Sequence, residues 1–340
     1  MEKPEYIAAA QIGNRLKSIR SYPEKMVGFL PFPFWASVLL LWTLIFVIDL
    51  WASRGISPGH GHQTELGITF FCAALSISIG LCARIMVNLF QDLVLFIEWN
   101  PLELETWYYN KLNRIYQGIW PLVSSFAFAL IVEFTIGSVI NSMNSDSEFL
   151  LYYRMGYRLF GFFLLGISLW ALIHVMILPS QLLKFKFKLR LSNLSGIGLQ
   201  ALGNSFFKMS LTTIACLLIL VITIVISPLK NNNIVLIWVG FGSILIFCFF
   251  LLPQIGIHRI MAIEKRQQLI SFSNHLEEAL ARSMKEPTSE NMQKLKELFD
   301  LQAYLKSMND WPFNTNALWQ LISALLIPLL LVILQIVFKL

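Results

Sequence analysis

The chain contains seven uninterrupted apolar blocks, each about as long as the roughly 20 helical residues needed to cross a bilayer. They run 29–52, 66–86, 119–140, 159–178, 206–227, 234–252 and 314–338. Lipid offers no hydrogen bonds to an exposed backbone, so only helices and closed barrels can span it. A barrel would need short segments of alternating polarity, and these blocks are continuous. Composition agrees. Only 14% of the 340 residues are charged, against about 25% in a soluble domain, whose surface needs charge. The reading is an all-α, polytopic membrane protein of about seven transmembrane helices with a cytoplasmic antiparallel helical hairpin.

The boundaries follow from the blocks. Residues 1–28 form a polar N-terminal segment, too charged for a cleavable signal peptide. Residues 7–19 are expected to form a short surface helix. Residues 29–256 form a six-span bundle. Within it, 100–118 is an interfacial connector started by Asn100-Pro101, and 180–205 is a basic, glycine-rich cytoplasmic segment. The expectation for 141–158 is a polar loop, with Pro179 ending the fourth span. Between Leu182 and Leu191, Lys184, Lys186, Lys188 and Arg190 alternate with apolar residues. That period of two predicts an extended strand with one cationic and one apolar edge, lying along the membrane surface or packed on the hairpin. Gly196, Gly198 and Gly203 are expected to break regular structure.

Residues 257–310 are the long water-soluble stretch. Leu269, Phe272, Leu276 and Ala279 recur at spacings of three and four, as do Leu298, Leu301, Leu305 and Met308. Such narrow seams suit two antiparallel helices packed as a coiled coil. Pro287 stops the first arm, and Thr288 or Ser289 can cap the second. Trp311-Pro312-Phe313 makes an elbow into a last span, 311–340, which Pro328 would kink.

Lysine and arginine choose the orientation. Twenty fall on the side of the N-terminus, connector, basic segment and hairpin, and five on the other. The N-terminus and hairpin are therefore expected in the cytoplasm and the C-terminus outside, with the plasma (inner) membrane as location. The net charge of +6 fits attraction to an anionic inner leaflet and requires no nucleic acid.

The basic alternating segment followed by Ser195-Gly196-Ile197-Gly198-Leu199 and Leu202-Gly203, together with the hairpin leading into Trp311-Pro312-Phe313, resembles a group of uncharacterised prokaryotic multi-pass membrane proteins. These share a glycine-rich turn and a WPF elbow before the last transmembrane helix. The likeness covers roughly the C-terminal half. It implies a shared fold and carries no activity.

Ionisable groups inside spans are costly and mark candidate sites. Arg84, Asn88, Gln91 and Asp92 share one helical face. His174 lies at a depth similar to Arg84, Glu133 lies nearer the outside, and Asp49 lies close to the outer surface. The functional reading is a polar, pore-flanking path, with Asp49 and Glu133 above and Arg84, Asn88, Asp92 and His174 below. The plainer reading has Arg84 snorkelling or paired with Asp92, Glu133 bonded to a neighbouring helix, and His174 donating to a carbonyl.

The sequence contains no HExxH, GxSxG or P-loop pattern. The four cysteines lie in apolar blocks without a CxxC pair, and His60 and His62 in a glycine loop make a weak metal motif. No catalytic residue, metal or cofactor is expected. The leading expectation is an oligomeric ion-conducting channel regulated through the hairpin. The alternative is a membrane-anchored module binding a cytoplasmic protein, with a secondary transporter third.

Overall fold

The structure is a computed structural model. It describes residues 15–52, 61–137, 148–182, 184–185, 197–226, 233–285 and 288–307, and scattered residues of the last span (319–320, 322–324, 326–327 and 330). Among the described residues the regular elements are all helical: α1 Tyr22–Val27, α2 Phe34–Ala52, α3 Gly61–Phe96, α4 Pro101–Tyr116, α5 Ile119–Val132, α6 Glu148–Leu182, α7 Ile197–Ile226, α8 Asn233–Lys285 and α9 Ser289–Ser307. A 3-10 turn at Leu16–Ser18 precedes α1, and a π-helical turn at Glu133–Gly137 continues α5. Six stretches are long and apolar enough to cross a membrane. The seventh expected span, with Trp311, Pro312 and Pro328, lies outside the described residues or in their scattered remainder.

Four boundaries differ from the sequence reading. Helix α6 begins at Glu148, so Arg154 and Arg158 are helical rather than part of a loop, and it continues through Pro179 to Leu182. Proline removes one backbone donor without forcing an end when neighbouring helices hold the turn. Lys184 and Phe185 add a further turn, their amides donating to the carbonyls of Gln181 and Leu182. The start of the supposed strand is therefore helical and turn-like, while Lys186, Lys188 and Arg190 lie outside the described residues. Gly198 and Gly203 sit inside α7. Finally, α8 runs unbroken through Pro253, so the sixth span and the first arm of the hairpin are one continuous helix.

Close helix contacts explain the bundle. Helix α3 packs along α7, and α5 along α6. Without a water-driven hydrophobic effect between them, membrane helices gain most where small residues let backbones approach. A Cβ on Gly166 would stand 2.6 Å from the Cα of Ser125, and one on Gly67 would stand 2.3 Å from Thr223 Cγ2. Either would force the helix pair apart. Helix α2 joins α3 through Trp42, whose Nε1 donates to Ser76 Oγ at 3.3 Å. Helices α6, α7 and α8 meet near Pro253. There Gln254 Nε2 donates to the Gly203 carbonyl, and Gly256 faces Pro179.

At about 1.5 Å per residue the 36 residues of α3 reach about 54 Å, well beyond a hydrocarbon core about 30 Å thick. The projecting part is covered by α4. Asn100 caps α4 by accepting from the Leu102 amide, Pro101 suits its first turn, and Tyr108 Oη donates to the Met86 carbonyl at 2.6 Å. Leu16, Ile19, Leu89, Phe90, Leu104 and Leu112 are buried in the same cluster, which ties the N-terminal segment down as well. Tyr22 donates to the Gly118 carbonyl, and partial burial pushes its phenol above the ordinary range.

Helix α9 turns back along α8. Thr288 caps it, its Oγ1 accepting from the Asn291 amide. Lys265 Nζ on α8 donates to the Lys306 carbonyl on α9. The seam residues Leu269, Phe272, Leu276, Ala279, Leu298 and Leu301 are half-buried and Leu305 is buried, while Met308 lies outside the described residues.

Candidate functional site: buried ion pairs at one end of the bundle

Helix α6 carries Arg154 and Arg158 four residues apart, hence on one face. Arg154 Nε lies 3.2 Å from Asp49 Oδ1 at the end of α2 and 3.9 Å from Glu65 Oε1 at the start of α3. Arg158 Nη2 lies 3.1 Å from Glu133 Oε1. All five side chains are buried. Charges removed from water persist only when paired and hydrogen-bonded, so these contacts hold four helices in one register. Two tyrosines on the same helix reinforce them. Tyr153 Oη donates to the Ile45 carbonyl at 3.0 Å, and Tyr157 Oη shares a hydrogen bond with Thr69 Oγ1 at 2.7 Å.

Glu133 opens the π-helical turn, a feature often found at functional positions. Its carboxylate lies across Gly137, where a Cβ would come within 2.3 Å of the carboxyl carbon. Oε1 takes the Arg158 bond, while Oε2 is buried without a hydrogen-bond partner. Among the described residues the site has no nucleophile beside a base. Its chemistry is charge pairing, with one acceptor atom left over on Glu133.

The remaining candidates lie elsewhere. Arg84 Nε donates to Glu24 Oε1 at 2.8 Å, and its guanidinium sits over the Phe34 ring. Glu24 closes a capping box with Ser21 at the start of α1. Asn88 and Gln91 are exposed and Asp92 is half-buried, which puts the polar stripe of α3 on the outer surface of the described bundle. His174 Nδ1 is 2.9 Å from the Trp170 carbonyl, and its ring lies on that of Trp170. The structure thus brings Asp49 and Glu133 to one end of the bundle and Arg84, Asn88 and Asp92 to the other. Among the described residues no ion pair or hydrogen bond joins His174 to Arg84 or Asp92. Lys184 is exposed at the end of α6. The side chains of His60 and His62 lie outside what the structure describes.

Sequence reasoning missed Glu24, Glu65, Arg154 and Arg158, the partners of its own candidates. One signal was present. Tyr153/Tyr157 and Arg154/Arg158 both repeat at four residues in an otherwise apolar run, a helical period mistaken for a loop. No family model, curated protein or solved structure matches the chain.

Proposed function

We propose that the chain is a membrane-anchored interaction module that holds a cytoplasmic helical hairpin, built from α8 and α9, ready for a protein partner. The observation that carries this reading is the unbroken α8. Its 53 residues would extend about 80 Å, and the stretch from Pro253 to Lys285 accounts for about 48 Å of that. A continuous helix presents its far end rigidly and at a distance from the bilayer. The two arms also expose large apolar side chains, among them Ile270 (58%), Met284 (75%) and Met292 (57%). Aromatic residues and methionine are enriched at protein interfaces relative to ordinary surface. The distribution of lysine and arginine puts the N-terminus and hairpin in the cytoplasm. No catalytic role is proposed.

One observation favours a second reading, the oligomeric ion channel. The stripe of Arg84, Asn88 and Gln91 is exposed on α3, and a second copy could cover it and enclose a polar path. The two readings separate experimentally. The module reading expects purified protein in liposomes to be flux-silent. It also expects charge reversal at Lys294 and Lys296 to release a stoichiometric partner from native membranes while Arg84→Gln leaves that partner bound. A flux that Arg84→Gln or Glu133→Gln abolishes in an intact assembly would sink the module reading and establish the channel.

A further inference from the structure

Between the α3–α7 pair and the α5–α6 pair lies an elongated cavity of about 190 Å³, with α8 as its third wall. On α6 its lining runs from Arg158 to Leu172, a length of about 21 Å along the helix axis. Its wall is almost wholly hydrocarbon and aromatic. Two of the three hydroxyl-bearing residues in its lining bond within their own helix, Thr213 Oγ1 donating to the Met209 carbonyl and Thr223 Oγ1 to that of Ile219, which leaves Ser168 as a single further hydroxyl in the wall. The one charged group in its wall, Arg158, is paired with Glu133 at one end.

Water does not fill such a space, because a buried water needs two to four polar partners. An empty space of this length would forfeit dispersion contacts along every wall. The solvent around this part of the chain is lipid. A cavity so long and of so small a volume is narrow, and it matches a single extended hydrocarbon chain in shape and chemistry. We propose that this cavity holds one acyl chain of a bilayer phospholipid, inserted between the two helix pairs and running from the Arg158 end toward Leu172.

Trp238 and Gly242, both on α8, line the cavity and make the proposal testable. A Cβ on Gly242 would meet nothing nearer than Leu217 Cδ1 at 3.8 Å. Gly242→Leu therefore grows into the cavity without striking backbone. The full-length protein is reconstituted into phosphatidylcholine vesicles with brominated acyl chains, which quench indole on contact. The emission of Trp238 is taken as the difference between wild type and Trp238→Phe. The expected result is loss of most of that emission in brominated vesicles and its recovery in Gly242→Leu. Equal emission in plain and brominated vesicles overturns the proposal, and so does equal quenching in wild type and Gly242→Leu, which would mean contact from outside the bundle. A second measurement does not depend on the variant folding. Native mass spectrometry of wild type from mild detergent should show one phospholipid mass that survives a delipidating wash. No retained mass, or a retained amphiphile that is not a phospholipid, also overturns it.

Discussion

Removing one partner of the Arg158–Glu133 pair should be among the most damaging single changes in the bundle. The two groups are 3.1 Å apart and the Arg158 side chain is 1% exposed. At that distance the Coulomb attraction is about 5 kcal/mol for an effective dielectric of about 20. Arg158→Met leaves the Glu133 carboxyl facing apolar surroundings, and breaking a buried pair in this way costs about 3–5 kcal/mol. Glu133→Leu should cost a similar amount by stranding the guanidinium. The double variant removes both charges. It should sit within about 1 kcal/mol of wild type, since buried pairs replaced by apolar residues are often neutral. Reversible unfolding in mixed micelles, run as a double-mutant cycle, measures this directly. Single variants each costing under about 1 kcal/mol, or losses that simply add, would refute the view that these groups hold one another in place.

Other expectations follow from the same geometry. Arg84→Gln should cost no more than about 1 kcal/mol in the same assay, because the Arg84 side chain is 59% exposed and solvent screens its bond to Glu24. Gly166→Ala should lose about 1–3 kcal/mol through overpacking against Ser125, while Gly156→Ala, with nothing within 4 Å of the new Cβ, should be neutral or slightly stabilising. Lys294 lies 2.6 Å from Glu290 and holds its carboxyl below the ordinary range. The contact therefore supports α9 above the ordinary carboxylate pKa and is lost as pH falls through the lowered value. Carboxyl-labelled NMR should show the Glu290 midpoint rising in Lys294→Ala. A cysteine at Ser289 should react with impermeant maleimide only from the cytoplasmic face. Labelling from the exterior would reverse the orientation.

The apolar blocks were legible because lipid imposes a length and a polarity that few other constraints can mimic. Their ends were harder to read. Pro179 and Pro253 look like stops in sequence, yet both lie inside helices, because tertiary packing at Gly256 and Gln254 supports the turns they weaken. Gly198 and Gly203 misled in the same way. In the candidate site, Asp49, Glu133 and Arg84 stood out as charges in apolar runs. Their partners did not, because pairing is a long-range relation. Asp49 and Arg154 are 105 positions apart, and Arg84 and Glu24 are 60 apart. Nothing in the local pattern encodes which of several plausible carboxylates each arginine meets.

The length of α8 has a mechanical consequence. Pro253 has no amide proton, so the helix lacks one rung of its ladder where the apolar run ends. The turns just past it are held in the bundle all the same, with Gln254, Ile257 and Ile260 buried. The arm that clears the core therefore runs from Ile260 to Lys285, about 38 Å, and a tilt of about 10° in this stiff arm would carry the tip sideways by about 7 Å. Small shifts among the membrane helices are thus magnified severalfold at Lys285, and a load hung on the tip pulls back on the bundle with the same leverage.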